Sequence, residues 1–491
     1  MTGFLFDNSY AGLPEGFFRA CEPTPVIAPT LIGFNHALAE QLGYQGDTNQ
    51  AELLAQIFSG NQLLPGSRPI ATAYAGHQFG GFNPRLGDGR AVLLGEVVAA
   101  DGRRRDIQLK GAGRTPFSRG GDGRSPLGPV LREYLVSEAM HALGVPTTRA
   151  LAAVTTGESV YRDKPLPGAI LTRVAASHIR VGTFEFFAAQ RDIDSLKTLA
   201  DHVIARHFPD AMSSDQPYLA LLKRVVQMQA ELIARWMSLG FIHGVMNTDN
   251  VLVSGETIDY GPCAFMDSFH PETVFSSIDT GGRYAYRMQP AVGQWNMARF
   301  AETLLPLIAV DQDQAVEQAT AVIRDFLGIY DAAWLRAFRA KLGLREAHSE
   351  DRQLIEDLLD LMAQHSVDFT LLFRSLQDAV LAPQQAVQTL ALFQGAAVWQ
   401  DWAVRWGQRL QLEQQTPEQI AACLRGINPA VIPRNHRIEQ AIQAASEDQD
   451  FSDFQRLNRI LSSPFLATDE DAQWMGPPEP SEKVCKTFCG T

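Results

Sequence analysis

Glycines and apolar periodicities are unevenly distributed along this 491-residue chain, and that restricts its architecture before any motif is considered. Between about 71 and 130 glycine is dense and the apolar runs are short; Ala91 to Val98 and Asp106 to Leu109 read as strands joined by glycine turns. A helix is predicted from Pro129 to Leu143, with proline near its start and Gly144 at its end. From 217 to 239, Leu222, Val225, Val226, Leu232, Ile233 and Trp236 recur at helical spacing between Pro217 and Gly240. Beyond about 290 the helical period dominates, over Trp295 to Val310, Gln314 to Phe326, Arg352 to Gln364 and Pro417 to Arg425. Residues 1–70 mix helical patterns, Leu31 to Leu42 and Ala51 to Phe58, with Pro-bearing loops. The implied fold is α+β and bilobal, because a chain of this length does not build one core. Residues 1–70 are expected to form an N-terminal extension, 71–176 a glycine-rich β lobe, 177–400 a helical lobe, and 401–491 a helical extension with a cysteine-bearing tail.

Composition removes several function classes. The net charge of -13 argues against a general binder of nucleic acid or anionic membrane, since both need a basic surface. No apolar run approaches the roughly 20 residues that span a bilayer, and the N-terminus, which carries Asp7 and Glu15 and no basic block, does not read as a leader peptide. Five cysteines (Cys21, Cys263, Cys423, Cys485, Cys489) are too few for a disulfide framework, so a cytoplasmic protein is expected. The Pro-rich, acidic tail after Pro464 is expected to be mobile.

Residues 241–261, FIHGVMNTDNVLVSGETIDYG, are the most informative. Val251 to Val253 reads as a strand, Ser254-Gly255 as a turn and Thr257-Ile258 as the returning strand. A hairpin brings its open ends together, so Asn250 and Asp259 are expected to converge. Their oxygens suit a hard cation such as Mg²⁺, which takes one or two protein oxygens plus phosphate; the plainer alternative is that they cap two strand ends. His243-Gly244-Val245 and Asn250 keep the spacing of the kinase catalytic loop H-R-D-x-x-x-x-N, and Asp259-Tyr260-Gly261 matches D-F-G. Upstream, Gly87 and Gly89 with Arg90 beside them open a strand, Lys110 ends another, and Glu133 on the next helix is placed to orient the lysine. Ala91 departs from the third kinase glycine. The ordered set implies ATP binding on a protein-kinase-like fold. A kinase, however, orients and deprotonates its acceptor with the Asp of the HRD loop. Here that position is Val245, and Asp249 is the nearest replacement base.

Cations are also in surplus. KGAGRTPFSRGGDGRSPLG (110–128) sets Lys110, Arg114, Arg119 and Arg124 among glycines whose N–H groups can approach an anion, and Arg173 and Arg180 bracket TRVAASHIR. Any one of them suits a surface ion pair; as a set in an anionic chain they suggest capture of a triphosphate. A site that clamps the γ-phosphate would turn the α-phosphate toward an acceptor.

YAGHQFGGFNPRLGDGRA (74–91), QLKGAGRTPFSRGGDGRSPLGPVLREYL (108–135), HGVMNTDN (243–250) and DYGPCAFMD (259–267) resemble the signatures of the selenoprotein O family, pseudokinases that act as protein adenylyltransferases. The resemblance covers nearly the whole chain. It implies a protein-kinase-like fold that binds ATP in a flipped orientation and transfers AMP to Ser, Thr or Tyr hydroxyls of other proteins. It further implies Asp249 as catalytic base, Asn250 and Asp259 as ligands of Mg²⁺ or Mn²⁺, and nucleotide binding by Gly87, Gly89, Arg90, Lys110, Asp122, Gly123, Arg173, Arg180 and Asp259. The alternatives are a phosphotransferase using Asp249, an inactive scaffold, and uridylyl transfer from UTP. Protein substrates and ATP are the expected partners, with no nucleic acid or membrane, and the chain is expected to be a monomer. Eukaryotic members carry selenocysteine near the C-terminus, in a C-x-x-U tail; Cys489 corresponds to it, but Cys485 lies one residue further away than that pattern has it. A redox switch pairing Cys489 with Cys263 or Cys485 is one expectation; the other is that Cys263 is a small buried hydrophobe and the tail thiols are free.

Overall fold

The computed structural model describes residues 3–381, 386–393, 398–466 and 468–488. Its strands are β1 (Phe18–Ala20), β2 (Thr30–Phe34), β3 (Ile70–Thr72), β4 (Gly76–Gln78), β5 (Gly81–Asn83), β6 (Ala91–Val98), β7 (Arg104–Lys110), β8 (Ser125–Pro126), β9 (Arg149–Tyr161), β10 (Pro165–Ala175), β11 (Phe241–Ile242) and β12 (Ala264–Phe265). The main sheet runs β1-β3-β6-β7-β10-β9-β2, with β8 on β10, and its pairings are antiparallel. The alternation of strand side chains separates two cores. Val92 and Leu94 of β6 and Ile170 of β10 face one cluster with Phe4, Leu54 and Phe58; Leu93 and Leu171 face the larger cluster, which continues into the helices.

The N-terminal stretch read as an extension is built into this sheet. β1 and β2 form its two edges, while α1 (His36–Gln41) and α2 (Ala51–Phe58) pack their apolar residues on its outer face. The helix expected from Leu31 is strand β2 up to Phe34, after which the Asn35 side chain accepts from Leu38 N at 3.0 Å and starts α1. Leu31, Phe34, Leu38 and Leu42 recur at helical spacing, but pairing of β2 with β9, with an irregularity between Leu31 and Gly33, decides for the strand.

α3 (Leu127–Ala142) lies across the inner face of the sheet, against β9 and β10. The chain then enters α4 (Val181–Ala189), α5 (Ile193–His207), α6 (Pro217–Ser238), α7 (Gln289–Ile308) and α8 (Gln312–Lys341), and α6, α7 and α8 pack on one another. α9 (Asp351–Gln364), α10 (Phe369–Leu381), α11 (Val387–Leu392), α12 (Val398–Leu410), α13 (Pro417–Ile427), α14 (Asn435–Glu447), α15 (Ser452–Leu461) and α16 (Ala472–Met475) follow. α14 and α15 return to pack on α3, so the C-terminal region supports the helix that carries Glu133. Among the described residues no helix is long and apolar enough to cross a membrane.

Candidate active site

A cavity of about 890 Å³ opens between the sheet and the 245–262 segment. Its polar wall begins with the sheet. Lys110, the last residue of β7, stands opposite Leu171 of β10, two residues from Arg173, so both cations rise from neighbouring strands. Glu133 on α3 receives both: Lys110 Nζ donates to Oε2 at 2.5 Å, and Arg173 Nε to Oε1 at 2.8 Å. Lys110 also reaches Asp259 Oδ1 at 3.1 Å. Burial works against the charge on Glu133, but Arg173 and Lys110 outweigh it and hold the carboxyl below its usual range. Asp259 is held well below the usual range in the same way, by Lys110, Arg173 and Arg90 against its burial.

The expected hairpin at 251–258 forms only as one antiparallel bridge, Val251 to Thr257, with a turn closed by Gly255 N on Leu252 O at 3.1 Å. Longer strands do not form because other segments take the backbone groups: Val253 N bonds to Ile179 O at 3.1 Å and Thr257 N to Pro146 O at 2.9 Å. The bridge suffices to bring Asn250 and Asp259 onto the same cavity wall. Asn250 Nδ2 is tied back to Val245 O at 3.1 Å, which leaves its amide oxygen available to a ligand. One amide oxygen and one carboxylate are the donor chemistry a hard divalent cation accepts.

Asp249 shares that wall with Val245 and Arg180. Burial raises its carboxyl to about 6; the Gln78 hydrogen bond and the Arg180 charge temper the rise, and Asp259 adds to it. Arg180 lies over the Tyr74 ring, 4.2 Å from its centroid, and 3.6 Å from Asp88 Oδ1. Asp88 is itself fixed by Thr72, whose Oγ1 donates to Oδ2 at 2.6 Å. Tyr74, Asp88 and Gln78 were missed in the sequence. Only Asp88, between Gly87 and Gly89, has a local signal there, since turn glycines often flank a residue that faces a ligand.

Of the other expected nucleotide contacts, Gly89 and Arg90 line the cavity, and Gly87, Asp122 and Gly123 are not on its wall. Gly87 has φ 70° and packs against Phe117, where a Cβ would stand 2.3 Å from the ring, so its role is to let the glycine loop close. Asp122 accepts from Arg162 Nη1 at 2.8 Å, and this brings Arg162, unnoticed in the sequence, to the cavity rim. Arg119 lines the cavity, whereas Arg114 and Arg124 do not. Arg114 donates to Gly120 O and Gly121 O, and Arg124 to Thr24 O and Pro25 O, so those two brace loops rather than face a ligand.

The tail expected to be mobile is docked over its described part. Trp474 is buried, and Thr487 pairs in parallel with Ser276, its N–H on Phe275 O at 2.8 Å and its hydroxyl on Pro262 O at 2.5 Å. Phe488 reaches the cavity rim. Cys263 is fully buried, its thiol pushed up to about 12 by burial and donating to Tyr260 O at 3.2 Å, whereas Cys485 is exposed. Cys489 lies outside the described residues.

The family model described as "Protein adenylyltransferase SelO" matches residues 2–462. A relative named Protein nucleotidyltransferase YdiU from Rhodopseudomonas palustris (strain BisB5) is 57% identical over 488 residues, covering 99% of both chains. Relatives of the same name are 58% identical in Rhizobium etli, over 100% of this chain and 98% of theirs, and 56% identical in Rhizobium meliloti (strain 1021), over the whole of both. With a match of this extent, and Lys110 on the cavity wall paired with both Glu133 and Asp259, the chain belongs to the protein adenylyltransferase SelO family.

Proposed function

We propose that this chain is a protein adenylyltransferase that moves AMP from ATP to Ser, Thr or Tyr hydroxyls of protein substrates, on a protein-kinase-like bilobal fold with 71–176 and 177–400 as its lobes. The observation that carries this reading is the placement of Val245 and Asp249 in the 245–249 loop. Val245, where a kinase has its base, is apolar, while Asp249 lies in the same cavity wall with its carboxyl raised to about 6. In this reading the acceptor oxygen attacks the α-phosphorus and the bond to the bridging α–β oxygen breaks. Pyrophosphate leaves and the hydroxyl proton passes to Asp249. Asn250 and Asp259 would hold Mg²⁺ or Mn²⁺, which supplies electrostatic stabilisation of the phosphate oxygens. Lys110, Arg90 and Gly89 would bind the nucleotide, with Arg173 and Arg180 at the γ-phosphate of a flipped ATP. Gly87, Asp122 and Gly123 would shape the glycine loop around it. Glu133 orients Lys110. The redox role of Cys263, Cys485 and Cys489, the monomeric state and the cytoplasmic location belong to the same proposal.

ATP labelled at the α or the γ position tests it directly. Label should pass to protein from the α position only; transfer from γ would establish a phosphotransferase, and transfer from neither a scaffold. UTP labelled at the α position, run alongside, measures the uridylyl variant.

A further inference from the structure

The hairpin β4–β5 takes no part in the chemistry proposed above, yet it is built against Asp249. Its two turn residues, Phe79 and Gly80, have φ of 50° and 87°, which suits the tight two-residue turn that matches strand twist. Gly76 and Gln78 share one face of β4 and His77 takes the other. On the first face, a Cβ at Gly76 would stand 2.7 Å from Asp249 Oδ1, so a glycine is what lets the strand close on the carboxylate. Two residues on, Gln78 Nε2 donates to Asp249 Oδ2 at 3.1 Å. Oδ1 is buried with no hydrogen-bond partner, which leaves the Gln78 amide as the group that fixes the rotation of the carboxylate. The rest of the hairpin is anchored to the two residues before Asp249. His77 N donates to Thr248 Oγ1 at 2.7 Å, and Phe79 N to Asn247 Oδ1 at 3.0 Å. Glu185 ties both sides together, with His77 Nδ1 at 2.6 Å and the Thr248 hydroxyl at 2.5 Å. Gln78 therefore reaches Asp249 from a strand that cannot shift independently of the loop.

We propose that Gln78 is a positioning residue for AMP transfer: its amide sets the angle at which the Asp249 carboxylate meets the acceptor hydroxyl. This rests on the reading of Asp249 as the base. The experiment is steady-state transfer by Gln78→Leu, Gln78→Glu, Asp249→Asn and the double variant Asp249→Asn/Gln78→Leu, with Mg·ATP affinity by calorimetry and a thermal melt for each. Gln78→Leu should lower kcat roughly 10- to 100-fold with Mg·ATP affinity within about twofold of wild type. Gln78→Glu keeps the size and loses the donor, so it should fall at least as far, whereas a space-filling role would leave it nearly active. In the Asp249→Asn background Gln78→Leu should change nothing further, because the group it positions is gone. Wild-type kcat in either Gln78 variant, or losses that simply multiply in the double variant, would overturn the inference. If Asp249→Asn is slow while the Gln78 variants are not, the base stands and the positioning role alone fails. If Asp249→Asn transfers like wild type, both fail.

Discussion

Asp259 holds a left-handed backbone, φ 68°, that costs a non-glycine residue about 1–3 kcal/mol and persists only where its surroundings dictate it. Here they do, through Lys110 on its carboxylate. Asparagine tolerates that conformation at least as well as aspartate. Asp259→Asn should therefore melt close to wild type yet bind Mg·ATP at least about 10-fold more weakly, having lost the charged oxygen; unchanged affinity in calorimetry would remove Asp259 from the proposed metal site. Asp249→Asn should do the reverse, keeping Mg·ATP affinity while transfer falls by roughly 10²-fold or more. Lys110, Glu133, Asn250 and Asp259 were legible in the sequence because each sits at a fixed offset from a turn, a strand end or a helix. Tyr74 and Gln78 were not, since what they touch lies more than a hundred residues away: Arg180 for one and Asp249 for the other.

Among elements, α8 differs most from its expected length. The pattern in the sequence predicts a helix only as far as Phe326, before Gly328, but Gly328 faces open space and the helix continues to bury Trp334 and Phe338. Its last residue, Lys341, is buried, with its ammonium 4.3 Å from the Phe373 ring centroid and 5.5 Å from that of Phe369, both on α10. Burial lowers the amine from 10.5 to about 7. Between those values the unfolded chain binds a proton that the folded one does not. Stability should therefore rise as pH increases from about 7 toward 10.5, and the full cost of the buried charge falls below 7. The two ring faces offset part of that cost. Lys341→Met should flatten this dependence and raise Tm near neutral pH by about 2 °C or more; a melting profile over this range that is unchanged by the substitution would contradict it.

At the scale of the molecule, sheet and helices are joined by a buried ionic cluster. Arg206 on α5 pairs with Glu96 of β6 and with Asp106 of β7, the latter at 2.6 Å, and His178 Nδ1 meets Asp106 at 3.0 Å. Removing Arg206 leaves two buried carboxylates without their cation, so Arg206→Met should cost about 3–5 kcal/mol in urea unfolding. Removing Arg104 from its more exposed pair with Asp7 should cost under about 1 kcal/mol. Equal losses from the two would show that the cluster does not join the layers. By itself the sequence located β6, β7, α3, α6 and the helical run beyond 290, because periodicity and glycine turns act over a few residues, and with them the motif residues that sit at fixed offsets. Only the tertiary structure decided that residues 1–70 close both edges of the sheet, that Arg114 and Arg124 brace loops, and that the tail packs at Thr487. Each of these depends on which distant backbone groups and charges come within hydrogen-bonding reach, and no local spacing records that.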